Sequence, residues 1–353
     1  MGRSADRYFG GGELSVIISS MPGAGGQQMA ELPARSSWSF VWRSGRVIVG
    51  GGVLGIILGL CLATLPWTLR SSSSLYYAGQ TGEARGAPRA TINNQLNPGG
   101  WFGYDALGRS MLGRCLLGGT ISLAVGAAAA AISVVLGTGV GLVAGYRGGW
   151  IDSALMRIVD VLYGLPYILL VILFKIAFEA PLGRGLERMQ QKLAGGGRWF
   201  DSWQAANLVV LFSAIGLVSW LTLARVVRGQ VLSLRAQPFI EACRAMGLPR
   251  RRIFTKHILP NLVGPITVYA TLTVPSAILQ ESFLSFLSVG INPPLPTWGS
   301  LASDAIGSLS PVKIYWWLLL FPCLLLVITL LSLNFVGDGL RDVFDPKRDQ
   351  GKL

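Results

Sequence analysis

The amino-acid sequence predicts an all-α membrane protein with six transmembrane helices. Of its 353 residues, 51% are hydrophobic and only 13% are charged, whereas about a quarter of the residues in a soluble domain are charged. The mean hydropathy is positive, at +0.52. Apolar runs close to the roughly 20 residues that a helix needs to cross a bilayer lie at 47–65, 116–144, 154–178, 206–223, 262–279 and 314–335.

Lysine and arginine near these runs predict the orientation, because both are enriched in short cytoplasmic loops. Arg43 and Arg46 directly precede the first run, which places the N-terminus in the cytoplasm. The connection between the fourth and fifth runs, 225–256, is then cytoplasmic too, and it is strongly basic with Glu241 as its only acid. The loop 181–203 disagrees, because it contains basic residues although it is predicted to lie outside.

The runs and the orientation divide the chain into five parts. A flexible cytoplasmic tail, rich in Gly, Ser and polar residues, precedes the first transmembrane helix. An extracytoplasmic segment then leads to a core of five helices, and a basic cytoplasmic tail ends the chain. In order, the parts are 1–46, 47–66, 67–115, 116–337 and 338–353.

Small residues at four-residue spacing predict close helix packing in the first two spans. In lipid, such a face lets two helix backbones approach each other. The first span has Gly51, Gly55 and Gly59 on one face, and the second has Gly137, Gly141 and Gly145.

The segment before the fifth span predicts a helix–turn–helix elbow at the cytoplasmic surface. Pro238 suits the first position of a helix, and Gly247 followed by Pro249 ends that helix sharply. A second short, basic helix follows, and Pro260 opens the next span. An apolar face suited to a groove in a partner protein is predicted from Phe239, Ile240, Cys243 and Met246.

This elbow, 237–261, resembles the EAA loop of ABC importer permeases. That loop contains Glu-Ala-Ala, a glycine and a later Ile-x-Leu-Pro at fixed spacing. The corresponding residues here are Glu241-Ala242-Cys243, Gly247 and His257-Ile258-Leu259-Pro260. The ending His-Ile-Leu-Pro-Asn is similar to the oligopeptide and dipeptide subfamily.

Other segments are similar to the same family and occur in the expected order. They include DALGR at 105–109, AGYRGG at 144–149, ESFLSFL at 281–287, PPLPTWG at 293–299 and GDGLRD at 337–342. The last segment resembles the C-terminal signature of the second-permease type. The resemblance extends from about residue 101 to the C-terminus.

The resemblance implies a type I ABC importer fold and a permease subunit in the bacterial inner membrane. The implied cargo is a di- or oligopeptide, with nickel or another cargo left open. The implied partners are a second homologous permease, two ABC ATPase subunits that hold ATP and Mg, an extracytoplasmic solute-binding protein and membrane lipid. Coupling to the ATPase is expected through Glu241, Ala242, Ala245, Met246, Gly247, Leu259 and Pro260. A cytoplasmic interface is expected at Arg157, Asp160, Asp338 and Arg341, with structural pairing left open for Arg157, Asp160 and Asp338.

The residues also argue against several other functions. No P-loop sequence GxxxxGK[ST] occurs, so the chain does not supply that cradle for ATP phosphates, and no cofactor is predicted in it. His257 is the only histidine and the four cysteines lack ligand spacing, so no metal site is expected. The net charge of +13 comes without the interleaved aromatic residues of a nucleic-acid module.

Two functions of different classes stay open at this point. An ion-driven secondary transporter needs ionisable residues and broken helices near the midplane, and the spans contain few such residues. A membrane-bound enzyme needs a paired acid and base or a metal constellation, which one histidine and sparse acids disfavour.

Overall fold

The structure is a computed structural model that describes residues 45–68, 86–88, 91–92, 95–96, 100–193, 202–308 and 314–344. Most of the predicted N-terminal tail lies outside the described residues. The helices are α1 (Gly45–Thr68), α2 (Met111–Arg147), α3 (Gly149–Tyr163), α4 (Tyr167–Leu193), α5 (Ser202–Arg235), α6 (Pro238–Ala245), α7 (Arg250–Ile253), α8 (Leu259–Phe286), α9 (Trp298–Gly307) and α10 (Trp316–Phe344). A π-helical turn, Phe254–Ile258, joins α7 to α8, and strands β1 (Thr91–Ile92) and β2 (Gln95–Leu96) form an antiparallel pair.

The predicted all-α membrane fold is confirmed. Among the described residues, five helical segments are long and apolar enough to cross a membrane: α1, α2, α5, α10 and the continuous segment Arg250–Phe286. Helices α3 and α4 pass the same test together but are bent by 95° at the break between them. Counting this bent pair as one span gives the sixth crossing.

The third predicted span, 154–178, is wrong as a single helix. The N–H of Gly164 donates to the carbonyl of Asp160 at 3.0 Å and closes α3. Pro166 follows and α4 starts at Tyr167. Proline lacks an N–H donor and disfavours the helical region at the residue before it, so the chain turns here. Because the residues on both sides of the turn are apolar, the hydropathy averaged over a window stays high across it and does not reveal the turn.

Several helices extend beyond the predicted spans. Helix α2 begins at Met111, within the predicted extracytoplasmic segment 67–115, and the Ser110 hydroxyl caps it by accepting a hydrogen bond from the N–H of Gly113 at 3.3 Å. Helix α4 runs to Leu193, so much of the predicted loop 181–203 is helical. Helix α10 runs to Phe344, so residues 338–344 of the predicted C-terminal tail are helical.

Helix α2 packs directly against the backbone of α5. A Cβ atom added to Gly137 would lie 2.9 Å from the carbonyl oxygen of Trp220, and one added to Gly141 would lie 2.6 Å from that of Ala224. At Gly145 the corresponding distance is 3.0 Å, to the carbonyl of Arg228. The predicted small-residue face of α2 is therefore confirmed, and we call it the glycine face (Gly137, Gly141 and Gly145).

The corresponding prediction for α1 is wrong within the described chain. A Cβ atom added to Gly51, Gly55 or Gly59 would meet nothing within 4 Å. Helix α1 instead approaches α10 at Gly50, where an added Cβ would lie 2.8 Å from the carbonyl oxygen of Ser332. The four-residue spacing indicates a smooth helix face, but it does not identify the face that meets a neighbour.

Gly141→Ala is expected to lower the thermal stability of the purified protein in detergent. The added methyl would overlap the α5 backbone, and overpacking of this kind costs about 1–3 kcal/mol. Gly139→Ala is the matched control on the same helix, because a Cβ there meets nothing within 4 Å. Unfolding temperatures measured by size-exclusion chromatography after heating provide the test. Equal temperatures for the two variants would contradict the close contact of α2 with α5.

Candidate functional site

The first helix of the elbow, α6, has clear start and stop signals. Pro238 occupies its first turn after an extended Gln237. Gly247 has φ +73°; its N–H donates to Arg244 O at 3.0 Å, and the N–H of Leu248 donates to Cys243 O at 3.1 Å. This pair of hydrogen bonds is the usual helix end at a left-handed residue. A side chain at that φ costs roughly 1–2 kcal/mol, which explains the glycine.

One face of the elbow is anchored in the helix bundle. Ile240 and Cys243 of α6 are buried. They join the buried residues Ile253, Ile258 and Leu262 of the following segments and Leu223, Val227 and Val231 of α5 in one apolar cluster. The elbow is therefore packed on α5 as part of the fold.

The other face of α6 is open. Phe239 is 42% exposed and Met246 is 71% exposed. The predicted single apolar face is thus wrong, because the bundle takes up Ile240 and Cys243 and leaves Phe239 and Met246 outside. We call the open surface the outer face of α6, and it consists of Phe239, Glu241, Ala242, Ala245 and Met246.

Polar contacts fix the elbow to the end of α2. The Arg235 guanidinium donates from Nη1 to the carbonyls of Gly145 at 2.7 Å and Tyr146 at 3.0 Å. The Tyr146 hydroxyl donates to the carbonyl of Arg250 at 2.8 Å, and its ring meets Phe254 edge-on at 5.0 Å between centroids. These contacts satisfy carbonyls that a helix end leaves without intrahelical partners, and they join α2 to both sides of α6.

Helix α3 is held beside α5 by two ion pairs. Arg228 binds Asp152 through two hydrogen bonds, one of them 2.7 Å from Nη2 to Oδ2. Arg225 donates to Asp160 at 2.9 Å, and its guanidinium lies 4.2 Å from the centre of the Tyr163 ring. Asp160, which the sequence assigned to an interface, is thus paired inside the chain.

The remaining predicted site residues lie outside the outer face of α6. Leu259 and Pro260 begin α8, and Arg157 is exposed on α3. Asp338 and Arg341 are exposed on α10, and neither forms an ion pair with another described residue. The structure therefore brings together the elbow residues, but no polar contact in the described chain links Asp338 or Arg341 to them.

Glu281 is a buried carboxylate for which the sequence assigned no role. It has 0% exposure within α8. It accepts hydrogen bonds from Ser285 Oγ at 2.6 Å and from Ser122 Oγ of α2 at 2.9 Å. An acid inside an apolar run is a signal that could have marked it. Its partner Ser122 lies far away in the sequence, so spacing alone does not identify the link between α2 and α8.

A second polar network lies just after the C-terminal end of α8, on the side of the bundle away from the elbow. Lys175 of α4 is buried and donates to the carbonyls of Val289, at 2.8 Å, and Gly290. Nearby, Glu179 accepts hydrogen bonds from Asn207 at 3.0 Å and Asn292 at 3.2 Å. These contacts tie α4 and α5 to the loop that follows α8.

Comparison with known proteins gives consistent matches. Residues 137–350 match the model of the binding-protein-dependent transport system inner membrane component. The chain is 44% identical over 247 residues to the oligopeptide transport system permease protein OppC of Haemophilus influenzae, covering 70% of each chain. It is 44% identical over 252 residues to OppC of Escherichia coli K12, covering 71% of this chain and 74% of that one. It is 41% identical over 247 residues to the dipeptide transport system permease protein DppC of Bacillus subtilis, covering 70% and 68%.

In the part of the chain that the structure describes, the apolar helices and the anchored elbow define a multi-pass membrane protein. The matched region includes α3 to α10 and the entire elbow. The chain therefore belongs to the family of inner membrane components of binding-protein-dependent transport systems. The sequence-based resemblance to ABC importer permeases is confirmed.

Asp152→Asn is expected to destabilise the protein by about 1.5 kcal/mol or more, the usual contribution of hydrogen bonds to charged groups. Asp152 is largely shielded, with its side chain 13% exposed. Asp160→Asn is the matched control on the same helix, because the side chain of Asp160 is 62% exposed and such pairs contribute about 0–1 kcal/mol. The unfolding temperatures of the two variants in detergent are compared with that of the unmodified protein. A larger decrease in unfolding temperature for Asp160→Asn than for Asp152→Asn would contradict the expected order.

Proposed function

We propose that this chain is the transmembrane permease subunit of an ATP-driven importer of di- or oligopeptides. The family supports a transport subunit that works with an ATPase and a substrate-binding component. The cargo is proposed from relatives named oligopeptide and dipeptide permeases at 41–44% identity. In this proposal ATP and Mg bind to two partner ATPase subunits, and the chain needs no cofactor of its own.

The observation that carries the proposal is the combination of an anchored and an open face on α6. Exposed apolar groups on a rigid element mark protein contact surfaces, and Phe239 and Met246 form such a surface. We propose that the outer face of α6 inserts into a groove of the ATPase. Glu241, an exposed acid in a basic segment, would then pair with a basic residue of the ATPase.

The contacts of the elbow support a direct mechanism of coupling. When ATP closes the ATPase dimer, the ATPase would displace the outer face of α6. Because the elbow is packed on α5 and bonded to α2, those two helices would move with it as a rigid body. A transport path would then open alternately to the two sides of the membrane. We propose that Leu259 and Pro260 pass the same displacement to α8, which they begin.

The proposed orientation has both termini and the elbow in the cytoplasm. The concentration of arginine at 225–256 supports it through the positive-inside rule. The networks around Lys175 and Arg114 would then face the solute-binding protein. Arg114 donates to Asp105 at 2.9 Å and lies 3.3 Å from Asp304. With this orientation, Arg157, Asp338 and Arg341 remain proposed contacts on the cytoplasmic side.

One face of α8 supports pairing with a second homologous permease. Tyr269 and Phe283 are 37% and 47% exposed, and Ser276 between them is exposed. Polar groups are costly against lipid tails. We propose that a second permease covers this face, with the transport path between the two subunits.

Glu241→Lys and Met246→Glu are expected to abolish recovery of the ATPase with the affinity-purified chain. Each introduces an unfavourable charge into the proposed contact, and both positions are exposed, so the fold should be retained. Proteoliposomes with the complete transporter should lose at least about 90% of ATP-dependent peptide uptake, since one such contact residue contributes 2 kcal/mol or more.

Leu107→Glu is the control for this experiment. Leu107 is 55% exposed and lies before α2, at the end of that helix remote from the elbow. This variant should therefore retain the ATPase. Full ATPase recovery with the elbow variants would contradict the coupling role of the elbow. Peptide uptake driven by an ion gradient without any ATPase would contradict the whole proposal.

A further inference from the structure

We propose that a basic cleft beside the elbow binds the phosphate headgroup of an anionic phospholipid. The cleft has a volume of about 660 Å³. We call it the arginine cleft, and it is lined by Tyr146, Arg147, Arg235, Arg244, Leu248, Arg250 and Ile253. Its walls come from the end of α2, the end of α5 and both sides of the turn between α6 and α7.

The charge of the cleft is uncompensated within the described chain. No acidic side chain lines it. Arg147, Arg244 and Arg250 form no ion pair with any described residue, and the nearby Asp152 is occupied by Arg228. Positive charges held together in this way repel one another. An oxyanion would remove that repulsion, and phosphate matches the fork of N–H donors on arginine.

The back of the cleft is held in position before any ligand binds. Arg235 is fixed by the carbonyls of Gly145 and Tyr146 at 2.7 and 3.0 Å, and its guanidinium lies 6.0 Å from the Tyr146 ring. The hydroxyl of Tyr146 is in turn bonded to the carbonyl of Arg250. The cleft is therefore a formed site, in contrast to a group of independent surface arginines.

The surroundings of the cleft favour a lipid over an acidic protein. The cleft lies where α2, a membrane-spanning helix, ends at Arg147. Trp150, three residues further on, is 83% exposed, and tryptophan is enriched at the level of the headgroups. Leu248 and Ile253 add apolar lining beside the arginines. Basic pockets between membrane helices are typical sites for lipid headgroups.

The test uses the complete transporter in nanodiscs that contain phosphatidylethanolamine with or without phosphatidylglycerol. Native mass spectrometry after mild detergent extraction measures the phosphatidylglycerol that is retained. The double variant Arg147→Gln/Arg250→Gln should retain it about fivefold less for each arginine removed. The carbonyl of residue 250 that binds Tyr146 is kept in this variant. Arg147→Gln alone changes one exposed side chain and provides the same test if the double variant is unstable.

Arg251→Gln/Arg252→Gln is the matched control. It removes the same charge from neighbouring exposed positions that do not line the cleft, and it should retain phosphatidylglycerol as the unmodified protein does. Equal retention by the two double variants would overturn the proposal. Displacement of the lipid by millimolar inorganic phosphate would show that the cleft binds soluble phosphate, and it would overturn the proposal that the ligand is a lipid headgroup. Loss of the ATPase with unchanged lipid retention would instead assign the arginines to an acidic protein surface.

Discussion

The approach of α5 to the glycine face of α2 determines where the elbow lies. There is little hydrophobic drive between helices in lipid, so their association depends on close packing and hydrogen bonds. The absence of side chains at Gly137, Gly141 and Gly145 brings the backbone of α5 into contact with α2. With the backbones so close, Arg235 can reach the carbonyls at the end of α2. The same approach supports the contact of Tyr146 with the backbone of the elbow.

The two ends of the bundle are held by different interactions. At the elbow, an apolar cluster and arginine contacts join α2, α5 and α6. At the other end, hydroxyl groups surround Glu281, and Lys175 binds the carbonyls of the loop after α8. Buried groups that are fully hydrogen-bonded make a structure rigid. Rigid attachment at both ends suits helices that move together, as the proposed transport mechanism requires.

Local chemistry explains which features the sequence predicted well. Pro238 and Gly247 act on the backbone of their own segment, so the bounds of α6 follow from the sequence. The bend between α3 and α4 was missed because apolar residues flank Gly164 and Pro166 on both sides. The two faces of α6 were missed for another reason. Phe239 and Ile240 are neighbours of similar polarity, and only the packing of α5 determines which one is buried.

Long-range partners explain the remaining gaps. The hydrogen bond between Ser122 and Glu281 joins residues that no sequence period connects. Similarly, the spacing of Gly51, Gly55 and Gly59 resembles that of the glycine face, but a partner is present only for α2 in the described chain. The arginine cleft also forms from separate segments, since Arg147 and Arg250 meet only after α2, α5 and α7 have assembled.

The proposed mechanism requires the elbow and α2 to move as one body, and pulsed EPR can measure whether they do. Spin labels would be attached at Arg251→Cys in the elbow and Val143→Cys on α2, both exposed positions, in a background without the four native cysteines. The complete transporter would be measured without nucleotide and after trapping with ATP and vanadate. Rigid coupling predicts the same distance between the two labels of this chain in both states, while the elbows of the two permeases approach each other. A change of several ångströms between Arg251 and Val143 would show a hinge within the elbow and would contradict rigid coupling.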